Sequence, residues 1–180
     1  MKSRMNRSEL RTRALPWVCW LAALLMAGEA AAGDLYPGRR IPAGDNPISM
    51  AVADLDGDSA PDLAIADAVG NAVRVLLGSG DGDFQTPVSY PAGDRPTSVA
   101  VADLDGDAVL DLVTAAQGED PSSSGPGTPG GVSVLLGNGD GSFEATGSYP
   151  AGTRPWSVAV ADFDTDGILD LVTTSPLDPM

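Results

Sequence analysis

The segment VAVADLDGDAVLDLVTA, residues 99–115, contains two short apolar runs separated by a loop with four aspartates. Its pattern, Asp-x-Asp-x-Asp-x-x-x-Asp-Leu, occurs three times, beginning at Asp54, Asp103 and Asp162. Four carboxylates within nine residues repel one another unless a cation lies among them, and ligand sets made only of oxygen favour a hard ion such as Ca²⁺. The sequence therefore predicts a tandem array of calcium-binding units.

The aspartate loop belongs to a longer internal repeat. A Pro-Ala-Gly phrase precedes each loop, at 42–44, 91–93 and 150–152, and successive copies are 49 and 59 residues apart. The additional residues of the second copy fall in the region 118–131, whose Pro, Ser and Gly predict a surface loop. The repeats are expected to span about 41–89, 90–148 and 149–180.

The second repeat contains four strand candidates, at 98–102, 110–115, 132–136 and 143–149. Asp-Gly between the last two is a strong hairpin signal. Four antiparallel strands in about 50 residues is typical of a propeller blade. The predicted fold class is all-β: a partial β-propeller of about two and a half four-stranded antiparallel blades, with a signal helix at the N-terminus. The Val/Ala alternation of each first strand predicts that both of its faces are buried between blades.

Alternate side chains of an extended loop can turn toward one centre, so four aspartates and one backbone carbonyl of each loop are candidate ligands. The three sets are Asp54, Asp56, Asp58, Ala60 and Asp62; Asp103, Asp105, Asp107, Val109 and Asp111; and Asp162, Asp164, Asp166, Ile168 and Asp170. An EF-hand needs a bidentate acid at its twelfth position, where these loops have Ile65, Thr114 and Thr173, so that class is excluded. The alternative reading is that the aspartates only cap turns.

Residues 1–32 have the layout of a secretory signal peptide: a basic start, an apolar stretch at 14–28 and Ala30-Ala31-Ala32 as the cleavage signal. Cleavage is predicted after Ala32, which leaves a repeat domain at 33–180 that has no membrane span and is secreted or held at the cell surface. An uncleaved signal anchor is the alternative.

The cleaved chain would keep five basic and 23 acidic residues, a net charge of −18, with no Lys, His or Cys. This composition excludes disulfides, thiol or imidazole catalysis, Schiff bases and His-rich zinc sites, and it argues against nucleic acid as a partner.

Several other residues recur at fixed places in the repeats. Asp81 and Asp140 lie in Asp-Gly turns and are expected to serve turn geometry. Arg95 and Arg154 precede proline and are expected to pair with nearby carboxylates. Trp156 is expected to pack in the core between blades, and stacking on a sugar is the alternative.

The phrases Val-Ala-Asp-Leu-Asp-Gly-Asp at 101–107 and Leu-Leu-Gly-Asn-Gly-Asp-Gly-Ser-Phe at 135–143, with the Tyr-Pro-Ala-Gly links, resemble the FG-GAP/VCBS repeats of integrin-α-like β-propellers. The resemblance covers about 35–174. It implies a propeller with calcium in the loop that joins the first two strands of a blade, in an exported, often adhesive or carbohydrate-facing protein. Loops of this family often have Gly at their sixth position; Gly167 fits this pattern, whereas Ser59 and Ala108 depart from it.

The expected function is that of a secreted or cell-surface calcium-binding propeller module that binds or adheres to a protein or glycan ligand. The chain is not expected to be an enzyme, because no acid pair stands apart from the repeated loops. The alternatives are a lectin-like propeller and an accessory domain of a polysaccharide-degrading enzyme. Residues 35–43 are predicted to be the fourth strand of a blade, and the third repeat stops after its second strand. We therefore expect further blades in a longer chain or self-association of copies.

Overall fold

The computed structural model describes residues 41–119 and 128–175, and within these ranges the chain forms strands but no helix. The strands are β1 Pro47–Ala53, β2 Asp62–Asp67, β3 Ala72–Leu76, β4 Val88–Pro91, β5 Pro96–Ala102, β6 Asp111–Ala116, β7 Gly131–Gly137, β8 Phe143–Pro150, β9 Ser157–Ala161 and β10 Asp170–Thr174. The four strands predicted for the second repeat are confirmed as β5 to β8. The predicted leader and its helix lie outside the described residues.

The strands form three antiparallel sheets in which each strand pairs with the next along the chain. Two sheets have four strands, in the orders β1-β2-β3-β4 and β5-β6-β7-β8, and the third has two, β9 and β10. The all-β class and the four-stranded antiparallel units are confirmed, and the arrangement is propeller-like. The described ranges contain no helix that could span a membrane.

Consecutive sheets pack face to face through small apolar side chains. Val99 of β5 lies in a core cluster with Ala64 and Val75 of the first sheet. Val158, at the equivalent position in β9, packs against Val113 and its neighbours on the second sheet. Both valines are 7% exposed, so this position of the first strand is where one blade rests on the blade before it.

The prediction that both faces of each first strand are buried is wrong for β9, where Ala159 is exposed, and for β1. Ile48, Met50 and Val52, which alternate along β1, are 48–59% exposed, whereas Ala51 and Ala53 pack against the core. The exposed face is the one that in β5 rests on a preceding sheet, and no described residue covers it. Trp156 is 56% exposed, so the expectation that it packs in the core is also wrong.

Hydrogen bonds between the inner strands repeat with the blades. The Val99 N–H donates to Ser49 Oγ (3.3 Å), and the Val158 N–H donates to Ser98 Oγ at the same distance. The two serines occupy equivalent places in β1 and β5. Their recurrence is visible in the sequence and is a signal from which this contact could be predicted.

The predicted strand at 35–43 falls mostly outside the described residues. Its last three residues, 41–43, are described and are not part of a strand. The backbone after them is held instead by hydrogen bonds at 45–46, which are made with a buried carboxylate described below.

Candidate metal loops

The three aspartate loops join β1 to β2, β5 to β6 and β9 to β10, and therefore lie at the same end of their sheets. In each loop three aspartates bring one carboxylate oxygen apiece within 4.8 Å of one another. These sets are Asp54, Asp56 and Asp58; Asp103, Asp105 and Asp111; and Asp162, Asp164 and Asp170. The first and third positions of the motif thus converge in every loop.

The spacing of these oxygens fits a calcium ion. Two oxygens that both lie about 2.4 Å from an ion are at most about 4.8 Å apart. The third carboxylate differs between loops: Asp58, at the fifth position, joins the first set, whereas the ninth-position aspartate joins the other two. Three carboxylates leave several of the 6–8 positions of Ca²⁺ for backbone carbonyls and water.

The first aspartate of each loop also shapes the backbone. Asp54 accepts hydrogen bonds from the N–H groups of Gly57 (2.8 Å) and Ser59 (2.9 Å). Asp103 accepts the equivalent bonds from Gly106 (2.8 Å) and Ala108 (3.0 Å). The same carboxylate can therefore cap a turn and bind a cation, because each of its oxygens has two lone pairs.

The fourth and sixth loop positions have left-handed backbone in all three copies. In the second loop Gly106 has φ 82° and Ala108 has φ 68°. Ser59 (φ 71°) and Thr165 (φ 65°) are the corresponding non-glycine residues of the other two loops. The left-handed backbone is thus kept even where the residue is not glycine. An L-residue in this conformation is strained by roughly 1–2 kcal/mol.

The aspartate at the ninth position of the motif holds the loop against the rest of the blade. Asp62 is fully buried and accepts hydrogen bonds from the N–H groups of Leu55 (2.6 Å) and Gly78 (2.7 Å). Asp111 does the same with Leu104 (2.7 Å) and Gly137 (2.9 Å). This carboxylate therefore ties the start of the aspartate loop to the end of the third strand, a role that the motif alone did not reveal.

In the third loop, Asp170 accepts the equivalent bond from the Phe163 N–H (3.0 Å). The seventh residue of each loop, whose carbonyl is a predicted ligand, is held in place through its N–H. Ala60, Val109 and Ile168 donate to the fifth-position aspartates Asp58, Asp107 and Asp166 at 2.7–2.8 Å. Asp107 and Asp166 thus hold the backbone and are not in the converging sets.

The aspartate at the third position of the motif carries the electrostatic cost of the cluster. Partial burial raises the pKa of Asp56, and the negative charges of Asp62, Asp58 and Asp54 raise it further. The pKa of Asp105 is raised in the same way, by desolvation and then by the neighbouring aspartates of its loop. Because like charges disfavour ionisation, a cation among them would reverse the direction of both shifts.

The two Asp-Gly turns lie at the same end of the sheets and serve turn geometry as predicted. Asp81 accepts a hydrogen bond from the Asp83 N–H (3.0 Å). Asp140 accepts bonds from the N–H (2.9 Å) and hydroxyl (2.5 Å) of Ser142, which lower its pKa. Neither aspartate belongs to the converging sets.

A fourth acidic site, at the other end of the first sheet, was missed by the sequence analysis. Asp67 is fully buried and forms an ion pair with Arg74, with Oδ2 3.0 Å from Nε. It also accepts N–H bonds from Asp45, Asn46 and Gly70 at 3.0–3.2 Å. Burial alone would raise the pKa of Asp67, but the three N–H groups and the guanidinium together lower it. No repeat marks this site, because the second copy has Ala116 in its place.

Comparison with models of known families assigns the chain to a family. A model described as an FG-GAP-like repeat matches residues 54–114 and 123–173, which is more than half of the chain. A second model, described as an FG-GAP repeat, matches residues 95–135. This chain belongs to the FG-GAP repeat family. Among curated proteins, none matches it significantly.

The FG-GAP matches include all three aspartate loops. The match at 54–114 begins on Asp54 and contains the first two loops, and the match at 123–173 contains the third. FG-GAP repeats commonly bind calcium and are typical of extracellular or surface proteins. The converging carboxylates therefore lie within the parts of the chain that define its family.

Proposed function

We propose that this FG-GAP chain is a secreted or cell-surface β-propeller module that binds calcium and mediates binding or adhesion. The observation that carries the proposal is the convergence of three carboxylate oxygens within 4.8 Å in each of three equivalent loops. Hard oxygen donors of this number and spacing suit Ca²⁺. The apolar stretch and the Ala30-Ala31-Ala32 site support export through a signal peptide that is removed after Ala32.

Calcium in this proposal is structural. The ion would neutralise the aspartates of a loop and hold its two left-handed residues in place. Because it binds the folded loop and not the unfolded chain, it would stabilise the fold in proportion to RT ln(1 + [Ca²⁺]/Kd). The chain is proposed to have no catalytic activity, since the aspartates of its loops and Asp-Gly turns serve those loops and turns and Asp67 is held in an ion pair with Arg74.

Thermal unfolding in Ca²⁺, in Mg²⁺ and in chelator tests the proposal. We expect the melting temperature to fall in chelator and to recover with Ca²⁺, with an affinity of about 10⁻⁴ to 10⁻³ M, as in extracellular modules. Mg²⁺ should be a poor substitute, because it prefers an octahedral site at shorter distances. Equal melting in calcium and chelator would reject a structural calcium.

A matched pair of substitutions assigns any effect to the loops. Asp105→Asn removes one charge from a converging set and should weaken calcium binding. Asp81→Asn removes one charge from an Asp-Gly turn outside these sets and should leave the calcium response unchanged. If the two variants respond alike, the effect comes from net charge and not from the loops.

The lectin-like alternative is favoured by one specific feature, a pocket at the end of the sheets opposite the aspartate loops. Two arginines and the exposed Trp156 line this pocket.

A further inference from the structure

A pocket with a volume of about 550 Å³ opens where the three inner strands begin. Two repeat positions line it three times each. The residues before the conserved proline are Asn46, Arg95 and Arg154, and those after it are Ile48, Thr97 and Trp156. Strands β1, β5 and β9 run from this pocket to the aspartate loops, so the two sites lie at opposite ends of the sheets.

The repeat is broken at these two positions. Neighbouring positions keep one residue type, as in the prolines at 47, 96 and 155 and the serines at 49, 98 and 157. The blade fold therefore does not dictate Asn, Arg and Arg at one pocket position, nor Ile, Thr and Trp at the other.

The pocket gathers positive charge in an acidic chain. The described ranges contain three arginines and no lysine. Arg74 pairs with Asp67. Arg95 and Arg154 both line the pocket, which has no Asp or Glu in its wall, and Arg154 also has an interaction partner of its own. The nearest carboxylate in sequence, that of Asp94, accepts hydrogen bonds from Asn71 Nδ2 (3.4 Å) and Thr128 Oγ1 (2.5 Å).

Both arginines are held on left-handed backbone. Arg95 has φ 56° and Arg154 has φ 58°, an unfavourable conformation for a long side chain. Each is followed by a fully buried proline, and the Arg95 N–H donates to Asn71 Oδ1 (2.9 Å). Strain kept at the same place in two repeats is a feature of functional sites.

The other side chains that line the pocket suit a ligand that contains a ring. Trp156 is half exposed and stands with the apolar side chains of Ile48 and Val69. Indole faces stack on the apolar faces of sugar rings and present an N–H to hydroxyl groups. The volume lies within the usual range for ligand pockets and is larger than a single inorganic anion needs.

We propose that this pocket binds an anionic sugar unit, carboxylated or sulfated, with Arg95 and Arg154 on the acidic group and Trp156 on the ring. Guanidinium groups match such oxyanions through paired N–H donors. The proposal deepens the proposed function, since it rests on the chain being a binding module and names its ligand class.

The acidity of the aspartate loops does not oppose such a ligand at the pocket. Strands of five to seven residues separate the pocket from the aspartate loops by about 15–25 Å. That separation exceeds the Debye length of about 8 Å at physiological ionic strength. The charges of the aspartate loops are therefore largely screened at the pocket.

Tryptophan fluorescence can test the proposal directly. In the full chain with Trp17→Phe and Trp20→Phe, Trp156 is the remaining tryptophan. This protein would be titrated, in Ca²⁺, with matched methyl glycosides in the gluco, galacto and manno configurations: the neutral sugar, its uronide and its 6-sulfate. We expect at least one acidic member to change the emission and to bind about tenfold or more tightly than its neutral counterpart. The uronide and sulfate arms identify which acid the arginines prefer.

Substitutions assign the binding to the arginines. Arg95→Gln and Arg154→Gln should each weaken the acidic sugar about tenfold with little effect on a neutral one, and Arg95→Lys should restore only part of the loss. Gln85→Glu makes the same change in net charge on an exposed residue outside the pocket and should leave binding unchanged.

Three outcomes would overturn the proposal: no acidic sugar bound more tightly than its neutral counterpart, equal loss with Gln85→Glu, or binding of an acidic peptide such as acetyl-Gly-Asp-Gly-amide where no sugar binds. Melting curves with and without chelator, recorded on the same protein, keep this result separate from the proposed function. A calcium-dependent fold without sugar binding rejects the ligand alone. A melting temperature that does not depend on calcium rejects the calcium proposal, and the sugar titration still tests binding at the pocket.

Discussion

Met50 and Val99 occupy the same position in consecutive repeats, yet Met50 is 59% exposed and Val99 is 7% exposed. Val99 rests on the preceding sheet, through Ala64 and its neighbours. The same relation holds between Val158 and Val113. We therefore predict that the face of β1 around Met50 packs against another blade.

The partner of that face is suggested by Val172. It occupies the position of Ala64 and Val113, the residues on which a following blade rests, and is 48% exposed. We predict that copies of the chain associate head to tail, with the Val172 face of one copy on the Met50 face of the next. Light scattering should show a mass above that of a monomer, rising with concentration.

Met50→Asp should shift this association toward the monomer by placing a charge in the contact. Thr86→Asp adds the same charge at an exposed residue of the β3–β4 connection and should not. A stable, cooperative and strictly monomeric wild-type chain would contradict the prediction.

The second prediction uses the left-handed residues of the second loop. Ala108→Gly should raise the free energy of unfolding by roughly 0.5–1 kcal/mol, because relief of strain exceeds the added freedom of the unfolded chain. Gly106→Ala should lower it by about 1–2 kcal/mol through φ alone, since an added Cβ meets no atom within 4 Å. Urea denaturation in chelator measures both, and effects of the same sign would refute the argument.

The third prediction concerns the ion pair between the buried Asp67 and the partly exposed Arg74. Asp67→Asn should reduce the free energy of unfolding at pH 7 by about 1–3 kcal/mol, because it removes the charge to which the guanidinium and three N–H groups donate. Since folding lowers the pKa of Asp67, its contribution is fully present above the unfolded value of about 4 and is lost as the pH falls through the folded value.

The difference between wild type and Asp67→Asn should thus persist from pH 7 to about pH 4 and shrink below it, as measured by urea denaturation. Asp81→Asn, in an exposed turn, serves as the control with a small and constant effect. A difference that does not change with pH would show that packing and not charge is responsible.

The fourth prediction concerns export. If residues 1–32 are a signal peptide, secreted material should begin at Gly33. N-terminal sequencing decides this, and a secreted or membrane-bound form that begins at Met1 would indicate an uncleaved anchor.

Local chemistry explains why much of the fold was predictable. Val and Ala alternation predicted β5 and β9, Asp-Gly turns predicted the hairpins, and the spacing of Asp103, Asp105 and Asp111 indicated a shared centre. Each of these signals lies within about ten residues, so it is present in the sequence before any tertiary contact forms. The sequence also determined the family and the chemical type of the loops.

Tertiary structure alone decided which residues meet over long separations. Asp62 reaches Gly78, and the pocket brings Arg95 and Arg154 together from different blades, although nothing local links these positions. The exposure of Met50 likewise depends on the neighbour of its sheet and not on its own strand. Residue types and spacing specify local conformation, whereas convergence between blades depends on how the sheets pack, which a single stretch of sequence does not encode.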